Sequence, residues 1–174
     1  MITSLKIRLE PNNKQNSKMF GSAGTARWAY NWVIAKQEES YKNGGKFRID
    51  NDLRKELTQL KKTEVFKWLN EYSNNVTKQA VKDGCEAYKK FFKKLSDKPK
   101  FKSRKKSKTS FYQDTAKTKF TATHVRLEKI GWVKLSEKSR VPVGSKITNP
   151  RVTHDGLHWY ISVGIEVPNE EVEL

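Results

Sequence analysis

The spacing of apolar and polar positions changes period several times along the chain. Leu5, Ile7 and Leu9 alternate with Lys6, Arg8 and Glu10, the two-residue period of a half-buried strand with a largely basic outer face. Pro11 stops that strand, and the Asn12-Asn13 pair can cap the next element. From about Lys14 to Tyr41 the spacing becomes helical, with Met19, Ala23, Ala26, Tyr30, Val33 or Ile34, and Tyr41 on one stripe. Gly21, Gly24 and Ala29 let another backbone approach this helix, and Gly44-Gly45 ends it. Asp50 is the expected cap of a short helix bearing Leu53, Leu57 and Leu60, and Thr63 of a turn carrying Val65, Phe66, Trp68 and Leu69. Ser73 caps a longer helix whose buried stripe reads Val76, Ala80, Gly84, Ala87 or Tyr88, Phe91 and Leu95.

Beyond that helix lies a basic run, Lys98 to Lys108, that ends in the aromatic pair Phe111-Tyr112. Its charge suits a phosphate backbone and its rings suit bases, while the plainer reading is a solvated connecting loop. The pattern then becomes strand-like at Val125–Leu127, Trp132–Leu135, Lys146–Thr148 and Arg151–Thr153. Asp155-Gly156 predicts a hairpin into the clearest strand, Leu157 to Val167. A strand at the start, several at the end and helices between predict an inserted topology. The first strand pairs with the last ones, and residues 12–95 form an excursion from the barrel or sheet.

Composition narrows the partners. Lys and Arg total 36 against 19 Asp and Glu, a net charge of +17 and a pI near 9.9, which points to a polyanion and most simply to nucleic acid. With 11% aromatic residues the chain is not a disordered one. Cys85 is the lone cysteine, so neither a disulfide framework nor a cysteine-based zinc site exists within the chain, and a reducing compartment fits. The N-terminus lacks the apolar core of a signal peptide, and no run reaches membrane-spanning length. These features predict an intracellular, soluble protein that does not engage a membrane.

Catalytic patterns are missing. His154 and His158 flank the Asp-Gly turn but lack a third zinc ligand; no serine sits in a nucleophile elbow, and no phosphate-cradling glycine loop occurs. Glu166, Glu170, Glu171 and Glu173 cluster only in sequence, with no partner aspartate to build a two-metal centre. The sequence therefore predicts no catalytic and no metal-binding residues. On the long helix Lys78, Lys82, Lys89 and Lys93 recur at helical intervals, either lining a phosphate groove or forming the solvated side.

Several pieces, in order, carry a family resemblance: Leu5–Pro11, Gly24-Thr-Ala-Arg-Trp-Ala-Tyr-Asn31, Ala87–Phe92, Pro99–Lys106, Ser110–Gln113, Ile130–Leu135 and Trp159–Val167. Together the chain resembles the N-terminal half of TnpB proteins, the transposon-encoded OrfB-type ancestors of type V CRISPR effectors. The resemblance implies an α+β fold: a wedge-type, OB-like antiparallel β-barrel split after its first strand by an inserted helical recognition domain. Its parts would be the first strand (1–11), the helical insert (12–96), a basic and aromatic connecting loop (97–117), the rest of the barrel (118–168) and an acidic tail (169–174).

The resemblance further implies an N-terminal module of an RNA-guided DNA endonuclease that grips guide RNA and reads a short transposon-adjacent motif in double-stranded DNA. Carried over by position, Asn74, Asn75, Lys78 and Gln79 with Ser110, Phe111, Tyr112, Gln113 and Thr115 would read the motif. Lys6, Arg8, Arg27, Lys82, Lys100, Arg104, Lys105, Lys106 and Lys134 would contact RNA or phosphate. Magnesium and zinc belong to the family's RuvC-like nuclease domain and zinc ribbon, which are expected as a missing partner; this chain is expected to hold no cofactor. It would be either an excised piece of a longer nuclease or a natural truncation, acting in the prokaryotic cytoplasm or nucleoid. The alternative is a stand-alone DNA-binding regulator or transposition accessory protein that uses no guide.

Overall fold

The computed structural model describes residues 2–166; the expected acidic tail and Val167 lie outside the described residues. Strand β1 (Ile2–Glu10) leads into helix α1 (Asn13–Lys42), α2 (Asp50–Leu60), a 3-10 turn (Lys67–Glu71) and α3 (Asn74–Phe92). The strands β2 (Thr109–Tyr112), β3 (Lys119–Phe120), β4 (His124–Leu127), β5 (Gly131–Leu135), β6 (Lys146–His154) and β7 (Trp159–Glu166) follow. The fold is α+β. It packs as two compact units, one joining the residues up to Phe20 with those from Lys108 onward, the other spanning Gly21–Ser107.

In the first unit a seven-stranded antiparallel sheet runs in the order β2-β6-β7-β1-β5-β4-β3. The strand nearest the N-terminus lies inside it. Along most of its length β1 pairs with β7, setting Ile7 opposite Ile161 and Leu9 opposite Trp159, and at its end it turns to β5 through Leu9↔Leu135 and Glu10↔Lys134. The alternation in β1 thus buries Ile7 and Leu9 with Phe111, Val125, Val133, Val152 and Ile161. Where a closed barrel is expected, the ladders give an open sheet with β2 and β3 as its edges.

Three readings of the sequence change here. Residues 109–112 are a strand paired with β6, through Phe111↔Val152 and Tyr112↔Arg151, not part of a connecting loop. The segments 146–148 and 151–153 are one strand with a bulge, where Asn149 takes φ +47° and Pro150 sits at a position needing no ladder donor. The hairpin after His154 is longer than Asp-Gly alone: the Asp155 carboxylate accepts the amides of Leu157 at 2.8 Å and His158 at 2.7 Å. Those backbone donors, His158 first, hold the exposed Asp155 carboxyl below its ordinary pKa. Leu157 is therefore 82% exposed in the turn, and the alternating strand begins at Trp159.

The first turns of α1 belong to this unit. Asn12 and Gln15 cap each other's backbone amides at 2.8 and 3.1 Å, a reciprocal box at the helix start. The Gln15 amide also donates to the Trp132 carbonyl at 2.7 Å, and the Trp159 indole donates to Asn16 at 2.8 Å.

In the helical unit Val33, Leu53, Leu57, Leu69, Val81 and Cys85 form a core against which Trp28, Trp32, Phe47, Leu60 and Phe66 pack. Gly84 permits α1 and α3 to approach, since a Cβ there would lie 2.9 Å from the Val33 side chain. Ser73 caps α3 by accepting the Asn75 amide at 3.1 Å. Asp50 is the first residue of α2 rather than its cap, and the Thr63 hydroxyl donates back to Leu60, closing α2 instead of opening a turn. Tyr41 and Leu95, expected on buried stripes, are exposed, Tyr41 in the last turn of α1 and Leu95 beyond the end of α3. The buried Gln37 clamps the returning chain with its amide, donating to the Arg48 carbonyl at 2.7 Å and accepting its N–H at 3.0 Å. Glu56 bridges Lys36 and Arg48, each at 2.8 Å; burial pushes its carboxyl up, but these bonds outweigh it and the net pKa is lowered.

Burial pushes the Cys85 thiol up to about 11. Cys85 will therefore resist iodoacetamide in the folded protein at mildly alkaline pH and react only as the helical unit opens; rapid alkylation of native protein would contradict this core. Gly84→Val, by overpacking α1 against α3, will cost about 1–3 kcal/mol in urea denaturation.

Candidate nucleic-acid interface

The helical unit carries a groove between α2 and α3. Asn51, Arg54, Lys55, Thr58 and Lys61 recur at three- and four-residue intervals along one face of α2, with Asn74, Thr77 and Lys78 on the facing first turns of α3. They line a cavity of about 370 Å³ with no carboxylate among the lining residues. At its wall Lys61 is only 9% exposed, its ammonium donating to Asn74 Oδ1 at 2.9 Å and Thr77 Oγ1 at 3.0 Å. The Arg54 Nε is buried without a hydrogen-bond partner, although its terminal nitrogen meets Asn51 and lies 3.8 Å from Asp50. Arg54, Lys55, Lys61 and Lys78 give the lining four cations and no carboxylate, so the groove is electrostatically matched to an anion. Amides and hydroxyls at the same wall can hydrogen-bond base edges or sugars.

Of the residues expected to read DNA, Asn74 and Lys78 line this groove. Asn75 supplies the backbone amide that Ser73 caps, and the Gln79 side chain donates to Asp83 at 2.9 Å. Lys82 lines a different, smaller pocket of about 190 Å³ with Phe47, Ile49, Asp50, Cys85, Glu86 and Lys89. Sequence reasoning missed Asn51, Arg54, Lys55 and Lys61, because α2 was read only for its leucine stripe. The polar spacing opposite that stripe was the available signal.

The second cationic surface is the outward face of the sheet. Strand register places Tyr112, Arg151, Ser162 and Lys6 in one row across β2, β6, β7 and β1, and Ser110, Thr153, Tyr160 and Arg8 in the next. On the other side of β1 a further row holds Glu10, Lys134 and His124, with Trp132 beside Arg126. Lys6 lies 4.7 Å above the Tyr160 ring, Arg151 stands 6.0 Å from that of Tyr112, and Lys134 is paired with Glu10 at 3.6 Å. The expected contacts Lys6, Arg8 and Lys134 thus share one sheet face, and Tyr160, Trp132, Arg126 and Arg151 join them through pairing that composition alone does not reveal.

The aromatic segment is divided by strand alternation. Phe111 is fully buried in the sheet core, so it is not available to a base. Gln113 is also buried: its Oε1 accepts the Glu128 amide at 2.8 Å and its own N–H donates to the Pro150 carbonyl at 3.0 Å. Ser110, Tyr112 and Thr115 are partly exposed. These residues belong to the sheet unit and Asn74–Gln79 to the helical unit.

The basic run as far as Ser107 belongs to the helical unit and is docked there. Asn31 donates to the Lys102 carbonyl at 2.9 Å and accepts its N–H at 2.7 Å, Lys102 covers the Tyr30 ring at 4.0 Å, and Lys98 pairs with Glu38 at 3.2 Å. Ser103 accepts the Lys106 amide at 3.1 Å, closing a turn that displays Arg104, Lys105 and Lys106 to solvent. Lys100 is exposed as well, and Arg27 is half-buried on α1. Among the described residues no group of three or more His, Cys, Asp or Glu side chains could hold a metal ion, and no helix is long and apolar enough to cross a membrane.

Known proteins share this arrangement of sequence. A family model described as a helix-turn-helix domain, of the OrfB IS605 type, matches residues 1–46. In the structure the matched span is a strand and one unbroken helix followed by a turn. The chain is 27% identical over 165 residues to InsQ of Escherichia coli (strain K12), a candidate RNA-guided DNA endonuclease, covering 95% of this chain and 40% of that protein. It is 28% identical over 163 residues to a candidate RNA-guided DNA endonuclease of Streptomyces pristinaespiralis, covering 92% of this chain and 40% of that one. The chain therefore spans about 40% of the length of the curated relatives it matches. These matches support the likeness of this chain to the N-terminal part of OrfB-type, transposon-associated TnpB proteins.

The strand alternation is directly testable. Gln113→Ala will destabilise the protein by about 1–3 kcal/mol by leaving buried partners unsatisfied. Lys6→Gln and Arg8→Gln, whose side chains face outward, will stay within about 0.5 kcal/mol of the parent in the same urea titration.

Proposed function

We propose that this chain is a nucleic-acid-binding module of a transposon-associated protein, using the α2–α3 groove for a short motif in duplex DNA and the sheet face for guide RNA. The observation that carries this reading is the groove itself, a cavity with four cations and no carboxylate in its lining. Lys55 and Lys78 supply charge to phosphates, and Asn51 and Asn74 supply amides of the kind that pair with adenine edges. The sheet face offers Lys6, Arg8 and Lys134 to phosphates and Tyr160 and Trp132 to bases, a combination suited to folded RNA. In this reading the sheet unit is the family's wedge-type domain, OB-like in its role, and the helices inserted after β1 are its recognition domain. Cleavage, and the magnesium and zinc that accompany it, would belong to the part of the relatives that this chain does not match.

The helix-turn-helix description of the matched family favours a second reading, DNA binding without a guide. Sequencing the RNA that co-purifies with the chain separates the two: one structured RNA species supports the guide, and no RNA supports the stand-alone binder.

Selection from a randomised duplex pool will recover a short shared motif. Asn74→Ala will lower discrimination by about 1–3 kcal/mol at one motif position. Lys78→Ala will weaken all duplexes alike and reduce the salt slope by about one. Recovery of no motif, or a salt-independent affinity, would defeat the proposal.

A further inference from the structure

The C-terminal ends of α1 and α3 meet in an aromatic cluster that neither surface above uses. Phe92 lies 6.0 Å from Tyr41, 6.0 Å from Phe47 and 5.6 Å from Tyr88, ring centre to ring centre. Tyr88 is buried beneath, whereas Tyr41 is 67% and Phe92 40% exposed. The segments 41–49 and 87–96 contain no carboxylate, and Lys42, Lys46, Lys89, Lys90, Lys93 and Lys94 are all exposed. The neighbouring acidic groups are Glu38, paired with Lys98 at 3.2 Å, Asp50 and Glu86, which line the small pocket beside Lys89, and the exposed Glu39 and Asp97, so cations still outnumber carboxylates around the rings. Lysines in a last helical turn offset the helix dipole, which accounts for part of the charge but not for solvent-facing rings.

We propose that Tyr41 and Phe92, with the lysines around them, form a stacking platform for unpaired bases of a single-stranded polynucleotide. Flat exposed rings interleaved with ammonium groups match a ligand that presents base faces and phosphates alternately. A duplex fits poorly, because pairing and stacking already cover its base faces. At a helical rise of about 1.5 Å per residue, Phe92 stands about 20 Å along α3 from Lys78. That is about six nucleotides at duplex spacing, so one polynucleotide can touch the groove and then continue unpaired onto the platform.

The test is ultraviolet cross-linking of the full chain to an iodouracil-substituted oligothymidylate, mapped by mass spectrometry, with affinities measured by anisotropy at about 0.3 M salt to suppress phosphate attraction. Cross-links at Tyr41 or Phe92 are expected. Tyr41→Ala will weaken single-strand binding about tenfold, with random-duplex affinity within about twofold of the parent, and Tyr41→Trp will restore it. Lys78→Ala will leave the cross-link at this end of α3 in place, so the platform and the motif-reading groove can fail separately. Cross-links confined to other residues, or parental single-strand affinity in Tyr41→Ala, would overturn the proposal. So would equal losses on single strand and duplex. If Tyr41→Ala instead released the protein from phosphatidylserine vesicles and left oligothymidylate binding intact, the patch would be a membrane contact and the proposal would be wrong.

Discussion

The structure depends on the hydrogen bonding of β1 along both edges to strands from the far end of the chain. A strand so placed cannot be completed by local contacts, and long-range pairing of this kind is entropically the slow part of folding. The helical unit is free of that constraint, because Gly21–Ser107 is contiguous and its core closes on itself. Pairing also sets chemistry. Lys6 covers Tyr160, and Arg8 shares a row with it, only in the observed register; a slip of one residue would turn both cations into the core.

Charge is distributed so that carboxylates serve the framework and cations remain for partners. Glu56 ties Lys36 and Arg48, Glu38 holds Lys98, and Glu128 meets Lys117 at 3.3 Å. What remains is a surplus of +17. Like charges at that density repel one another and oppose compaction. Small clamps answer this locally: the Asn31 amide fastens the basic run at Lys102, and Gln37 fastens Arg48. The basic run is thereby fastened to α1 at Lys102 and Lys98.

Periodicity made the long elements legible. The alternation at Leu5–Leu9 marked β1, three- and four-residue spacings marked α1 and α3, and Ser73 marked a true cap. The places where the sequence misled share a cause, a side chain acting against its type. Asp155 binds two amides and lengthens the hairpin loop, Pro150 occupies a bulge instead of breaking the strand, and Gln113 is buried because its amide replaces missing backbone partners. The short strand β2 has Phe111 as its one buried position, too little for alternation to show. The candidate groove was half visible. Asn74 and Lys78 were expected only through the family resemblance, and Asn51, Arg54, Lys55 and Lys61 needed the two helices to be set face to face.

The alternation in β1 has a meaning for synthesis. The ribosome releases this strand well before β5 and β7, and at about 5–20 residues per second those partners follow only after several seconds. During that interval Ile7 and Leu9 form part of an apolar strand with both edges open, a template for joining other nascent chains. Lys6 and Arg8, set between them, place positive charge on the opposite face and make such strand-to-strand association self-repelling. The residues here assigned to grip a polyanion would thus already serve as guards against aggregation before any polyanion arrives.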